Sequence, residues 1–260
     1  MPEKTLLSRI KYQITTNSLT IATFAVIFIV WEAVVQIFNI NRVVLPAPSE
    51  IAAVMLNLQK GYYVPWDKHI SVTLFEILAG FSLAAIVGIL LAMLIVYSLI
   101  LERILLPLIV FIEVLPKIAV APLLLIWVGY GMEPKIGIAF LIAFFPIVVS
   151  TANGLREVEQ DLLDLMKVYG ATKMQVFFKV RFPNAVPHIM SGLSIGMASA
   201  VIGAIVGEFV AANEGLGFLI VNAQYQLLTA MAFASLFYIA IIGLVLYGAV
   251  VAFGNLLKRF

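Results

Sequence analysis

Asp164-Leu165-Met166-Lys167-Val168-Tyr169-Gly170-Ala171, followed by Val180-Arg181-Phe182-Pro183, is the stretch on which the reading of this chain turns. It belongs to a polar interval between Arg156 and His188 in an otherwise apolar sequence. Glu157, Glu159, Asp161 and Asp164 crowd its front, Lys167 comes late and Gly170 stands at a stop, an order that suits the dipole of a helix. Leu155, Val158, Leu162, Leu165, Met166 and Tyr169 recur as one apolar stripe. Thr172 is placed to cap a second short helix carrying Met174, Phe177, Phe178 and Val180. Pro183 is expected to end that helix and Asn184 to cap the next one. A helix-turn-helix with an apolar stripe must cover it with its own bundle or with a partner.

On either side of this segment the chain is too apolar for an ordinary soluble domain: 63% of its 260 residues are hydrophobic and 12% charged, with a mean hydropathy of +1.10. A hydrocarbon core needs roughly 20 apolar residues per crossing helix. Six stretches qualify, at about 18 to 38, 71 to 97, 105 to 128, 135 to 152, 188 to 212 and 229 to 255. The expected class is an all-α integral membrane protein, since helices satisfy their own backbone in lipid and no segment alternates like a membrane β-strand.

Basic residues set the expected orientation. With the N-terminus inside, the inner segments hold Lys4, Arg9, Lys11, Arg103, Arg156, Lys167, Lys173, Lys179, Arg181, Lys258 and Arg259. The outer ones hold Arg42, Lys60, Lys68 and Lys135, and Lys117 falls inside a span. This bias places both termini in the cytoplasm. The first span is preceded by a charged segment and lacks a small-residue cleavage site, so it reads as a retained helix. The chain has no cysteine, which excludes disulfides and thiolate chemistry, and its net charge of +2 includes no nucleic-acid patch.

Within a single domain spanning 1–260, three further features stand out. Pro46-Ala47-Pro48-Ser49-Glu50 opens a helix over about 49–60, with Ser49 as its expected cap, Ile51, Val54, Met55 and Leu58 as its apolar stripe and Gly61 as its stop. It reads as a helix lying in the membrane interface. In the third span Pro107, Pro116 and Pro122 argue against a continuous helix. Glu113 and Lys117 lie there four apart, as a polar pathway or gate, or as a self-neutralising pair near the cytoplasmic end. In the fifth, Gly192, Gly196 and Ala200 form one small-residue row and Gly203 and Gly207 another, which invites close approach by a neighbouring helix. Glu208, near its outer end, either faces a cavity or a subunit interface or snorkels to the headgroups.

Asp164, Gly170-Ala171, the ten-residue step to Val180 and the closing Phe182-Pro183 resemble the EAA loop of binding-protein-dependent ABC importer permeases. Leu165 and Met166 stand where that pattern has small alanines, and Phe182 where leucine is usual. Leu45-Pro46-Ala47-Pro48-Ser49, Pro116 through Pro122-Leu123, Trp127-Val128-Gly129-Tyr130-Gly131 and Glu208 followed by Glu214-Gly215-Leu216-Gly217 narrow the resemblance to the nitrate, sulfonate and taurine permeases, with relatives for bicarbonate and vitamin precursors. The resemblance implies a six-helix type I ABC importer permease in the bacterial inner membrane. Two copies would form the pore, and an extracytoplasmic solute-binding protein would deliver the solute. Each copy would dock the cytoplasmic loop 154–187 on one of two ATPase subunits, through Asp164, Leu165, Met166, Gly170, Ala171, Val180 and Pro183.

Two other classes compete. An ion-coupled secondary transporter would use an intramembrane carboxylate such as Glu113 and often shows repeated halves, yet no convincing repeat is present and the loop would have no purpose. A membrane-embedded enzyme needs clustered catalytic groups, and the sequence clusters none. His69 and His188 are far apart, so no histidine metal pair is expected. No G-x-x-x-x-G-K-[ST] phosphate loop occurs, so no cofactor is expected on this chain and ATP and Mg would be bound by the partner ATPase.

Overall fold

The computed structural model describes residues 6–58 and 63–257, with backbone alone at 6–17, Leu99 and Ala211. Lys4, Lys60, Gly61, Lys258 and Arg259 of the sequence reading lie outside the described residues. Every regular element among the described residues is helical. In chain order these are α1 (Leu6–Ile37), α2 (Pro48–Met55), α3 (Trp66–Tyr97), α4 (Leu99–Val114), α5 (Lys117–Val128) and α6 (Glu133–Arg156). After the polar loop come α7 (Gln160–Val168), α8 (Lys173–Val176), a π-helical turn (Phe177–Arg181), α9 (Phe182–Ala211), α10 (Leu216–Tyr225) and α11 (Thr229–Leu257). Among the described residues five helices are long and apolar enough to cross a membrane, and the pair α4–α5, bent by 96°, makes a sixth crossing when taken as one span.

That bend shows which proline matters. Pro116 forces Leu115 into an extended conformation (φ −63°, ψ 134°), and the chain turns there. Pro107 and Pro122, expected to interrupt the helix as well, sit inside α4 and α5 without ending them. A membrane helix tolerates a lost backbone bond when neighbours and local adjustment satisfy the freed carbonyl.

By their internal contacts the residues divide into two compact units, Met1–Val64 with Asn222–Ala234 and Pro65–Val221 with Ser235–Phe260. In the first, α2 begins one residue earlier than expected, and Ala47, not Ser49, is its N-cap. Pro48 takes the first turn, where its missing N–H is no loss, and Glu50 reaches back toward the Ala47 N–H. Ser49 instead donates its backbone N–H (3.0 Å) and hydroxyl (2.7 Å) to the Glu32 carboxylate. The helix stops at Met55 because Asn57 turns left-handed (φ +53°) and exchanges two side-chain hydrogen bonds with the backbone of Val64, each 3.0 Å.

In the second unit α6 is the central element, with α3 and α9 packed along it and α5 against its first half. Ile77 and Ala84 of α3, Ala139, Ala143 and Ile147 of α6, and Met197, Ala200, Val201 and Ala204 of α9 form the core, with Ile239, Ile242, Leu246 and Val250 of α11 against it. The small-residue rows of the fifth span serve this contact. A Cβ at Gly203 would stand 2.6 Å from Ala139 Cα, and one at Gly196 would stand 2.7 Å from the Ile147 side chain, so glycine sets how near α9 lies to α6.

The fifth span itself departs from expectation. Pro183 does not end a short helix and Asn184 does not cap a new one; the helix runs from Lys173 to Val210 as one apolar rod. The π-turn explains this. A proline clashes with the carbonyl four residues before it, here Lys179, and the wider winding of Phe177–Arg181, in which the Phe182 N–H bonds to the Phe177 carbonyl, relieves that clash.

Candidate functional site

The polar loop is fastened at its base and bare at its tip. Arg181 donates to the Leu155 carbonyl at 3.0 Å, Asn184 donates its amide to the Glu157 carbonyl, and Phe177 packs with Leu155, Ala185 and Ile189. Arg156 pairs with Glu102 at 3.0 Å, which ties the end of α6 to the start of α4. Beyond this base α7 has no buried residue. Leu162, Leu165, Val168 and Tyr169 are exposed, the last two by 84% and 79%. The helix ends in a Schellman turn: Gly170 (φ +65°) donates its N–H to Lys167 O at 2.9 Å and Ala171 donates to Met166 O at 2.9 Å. Asp164 accepts from Lys167 (2.8 Å) and Gln160 (3.2 Å), and the Lys167 bond first of all holds its carboxyl below the usual carboxylate range. Thr172 and Gln175 then form a capping box that starts α8. Asp164, Leu165, Met166, Gly170 and Ala171 thus share one projecting hairpin, whereas Val180 lies in the π-turn and Pro183 in the first turn of α9, at its base.

Glu113 and Lys117 form an ion pair across the bend between α4 and α5. The pair does not lie along one continuous helix, as its four-residue spacing suggests, but joins the last turn of one helix to the first of the next. The Lys117 ammonium also stands 5.5 Å from the centre of the Phe145 ring. Phe145 lies midway along α6, so the pair stands beside the middle of that helix.

At the end of this unit opposite the loop, the fold assembles a cluster that the sequence reading does not contain. Glu208 is 1% exposed and does not reach outward to the headgroups. Its carboxylate accepts the Thr73 hydroxyl at 2.6 Å and the Gly217 N–H. Thr73 in turn accepts the Leu216 N–H at 2.8 Å, and His69 Nδ1 accepts the Gly215 N–H at 3.0 Å. Glu76, fully buried, pairs with Lys135, itself 5% exposed, and lies in contact with Glu208. At the rim, Lys68 pairs with Glu214 and holds that exposed carboxyl below the usual range. A cavity of about 250 Å³ is lined by Val72, Tyr130, Met132, Lys135, Asn213 and Glu214 among others.

Glu76 and Glu208, far apart in the sequence, belong to one cluster, and Gly207, Gly215 and Gly217 let the backbone crowd around Lys135 and Glu208. A signal was present in the sequence. His69, Thr73, Glu76 and Gly80 recur every three or four residues along one face of an apolar span, and an intramembrane polar stripe of that kind calls for partners. No local pattern says which residues supply them.

The architecture is that of a type I ABC importer permease. It is similar to a methionine ABC transporter solved in inward-facing conformations, with a TM-score of 0.61 over 72% of this chain and 93% of that one; at 20% identity this likeness shows the fold. The chain belongs to the family of binding-protein-dependent transport system inner membrane components, whose model matches residues 84–259. It is 36% identical to a probable ABC transporter permease protein of Haemophilus influenzae over 85% of this chain and 89% of the relative. It is 32% identical to a formylaminopyrimidine transport permease protein of Halalkalibacterium halodurans, over 90% and 92%. It is thus the multi-pass inner-membrane permease subunit of an ATP-driven importer of a small solute. Such a subunit has no ATPase site or cofactor of its own and works with an ATPase and a solute-binding protein.

Proposed function

We propose that two identical copies of this chain, each acting as a single permease domain, form the translocation pathway and that each docks its 154–187 loop on one of two ATPase subunits, which bind ATP and Mg. Both termini and the loop face the cytoplasm, α2 (Pro48–Met55) lies in the outer interface, and an extracytoplasmic solute-binding protein delivers the solute to the other side. The single observation that carries this reading is the uncovered apolar face of α7, with Leu162, Leu165 and Tyr169 projecting from a firmly fastened base. A fixed base with a bare apolar tip suits a lever that a partner moves. Asp164, Leu165, Met166, Gly170 and Ala171 make the contact, and Val180 and Pro183 transmit it into α9. When the ATPase pair closes on ATP, the loops approach one another and one of two permease conformations is stabilised.

The Glu113–Lys117 pair supports the second copy. A charge at the centre of a bilayer costs roughly 2.5–3.5 kcal/mol even on the lenient insertion scale, so a pair beside the middle of α6 belongs against protein or a watered pathway and not against lipid. Being neutral as a pair, it suits an uncharged heterocycle better than an anion. The likeness along 90% of the chain to a permease named for formylaminopyrimidine points the same way, to a vitamin-precursor solute ahead of a taurine-like or nitrate-like anion.

Purification of the tagged chain co-expressed with its ATPase tests the docking. The ATPase is expected to accompany the wild-type chain and to be lost from the Leu165→Asp, Tyr169→Asp variant, and retention at wild-type stoichiometry would defeat the assignment. For the solute, excess aminopyrimidine is expected to compete with uptake by whole cells while taurine does not; the reverse result would reassign it to the anions.

A further inference from the structure

The first turn of a helix leaves backbone N–H groups without intrahelical partners. At the start of α10 three such groups in a row, on Gly215, Leu216 and Gly217, are taken by His69 Nδ1, Thr73 Oγ1 and Glu208 Oε2, side chains of two other helices. Thr73 and Glu208 are joined to each other, and Glu208 touches the Glu76–Lys135 pair. The beginning of α10 is therefore pinned to α3 and α9 through the backbone N–H groups of these three residues. Gly215 (φ +119°) adopts a backbone conformation open to glycine, and a Cβ on Gly217 would stand 2.8 Å from the Glu208 carboxylate, so the pin requires these glycines.

Buried charges are a poor means to stability, because well-packed apolar residues of similar volume hold a fold as well or better. Their best-attested use is to select one arrangement among alternatives. The location suits such a use. α6 carries Lys135 at its start and Arg156 at its end, 21 residues and roughly 30 Å apart at 1.5 Å per residue. α9 carries the base of the loop at one end and Glu208 at the other. The two helices that flank the polar loop thus reach, unbroken, to the cluster.

We propose that Glu208, Thr73 and His69 are positioning residues of an outer latch. They hold the start of α10 on α3 and α9 in the resting conformation, and the movement that the ATPase imposes on α6 and α9 releases it, so that latch opening is a step of transport. This rests on the orientation given above, with the loop in the cytoplasm. The latch acts on which conformation the permease occupies.

The test uses the whole transporter, permease with its ATPase and binding protein, in proteoliposomes. Because the chain has no cysteine, Val72→Cys and Asn213→Cys, both at the cavity beside the latch, can be joined by a short bis-methanethiosulfonate, which forms a disulfide to each thiol with loss of sulfinate and is cleaved by reductant. Joining them is expected to lower ATP-driven uptake at least tenfold, and cleaving the linker to restore it. In parallel, Thr73→Val is expected to raise ATP hydrolysis without solute severalfold, and Thr73→Ser to leave it at the wild-type level. Unimpaired uptake by the joined transporter overturns the latch, as does a fully assembled Thr73→Val transporter whose hydrolysis, with and without solute, matches wild type. Should Thr73→Val fail to assemble, the cross-link alone decides. Labelling of the Asn213→Cys chain by an impermeant reagent from the binding-protein side reports orientation separately, so an inverted topology is not mistaken for a missing latch.

Discussion

The Thr73 hydroxyl donates to Glu208 at 2.6 Å although 135 positions separate the two residues in the chain. The same oxygen accepts the Leu216 N–H, so Thr73 joins α3, α9 and the start of α10 in one contact. Its replacement by the isosteric valine leaves a buried carboxylate oxygen and a buried N–H short of a partner. Removing one partner of a buried hydrogen bond costs about 1–3 kcal/mol. Thr73→Val is expected to melt earlier in detergent and Thr73→Ser to stay near wild type; indistinguishable melting of all three would show that solvent fills the gap.

Lys135 and Glu76 are the most deeply buried ion pair among the described residues. Breaking such a pair from one side strands a charge, at about 3–5 kcal/mol, whereas removing both partners is often neutral. Lys135→Met alone is therefore expected to reduce the yield of folded permease sharply, and Glu76→Gln with Lys135→Met to recover most of it. Equal loss in the single and double variants would count against a charge-based explanation.

Gly170 holds the left-handed turn that closes α7. A β-branched residue there is strained by about 1–3 kcal/mol. Gly170→Val is expected to reach the membrane normally yet to lose solute-stimulated ATPase activity, since the tip of the hairpin is reshaped and its base is not. Wild-type stimulation in this variant would remove the turn from the coupling contact.

Glu113 and Lys117 neutralise each other across the bend. Lys117→Ala is expected to impair uptake more than Glu113→Gln combined with Lys117→Met, because only the single change leaves a lone carboxylate beside the middle of α6. Uptake and membrane yield measured on the same preparations separate gating from insertion. Wild-type uptake in both variants would make the pair dispensable.

The orientation is tested with Lys173→Cys, on the exposed start of α8. An impermeant thiol reagent is expected to label it in inverted vesicles and not in intact cells. Labelling in intact cells would invert the topology.

Hydropathy alone located the crossings, because in lipid a helix is the local solution to backbone hydrogen bonding and its length is set by the bilayer. The hairpin at α7 was equally legible: acids before, Lys167 late, Gly170 at the stop and Thr172 as a cap act within one or two turns, so sequence neighbours decide them. The errors came where a non-local partner intervened. Ser49 was the obvious cap of α2 until Glu32, from α1, claimed both its donors. Pro183 was the obvious end of a short helix until a π-turn absorbed its ring.

The outer cluster shows the other side of that divide. Composition determined that this chain lives in a membrane, and the polar loop determined its own helix starts and stops, since both depend on residues near in sequence. Only the tertiary structure brought His69, Thr73 and Glu76 of one helix to Lys135 and Glu208 of two others and to the N–H groups of a fourth element. Charges and hydrogen bonds act at contact distance, and in this unit contact is set by how closely the glycines at 203 and 207 let α9 approach α6, a packing outcome that no single stretch of sequence encodes.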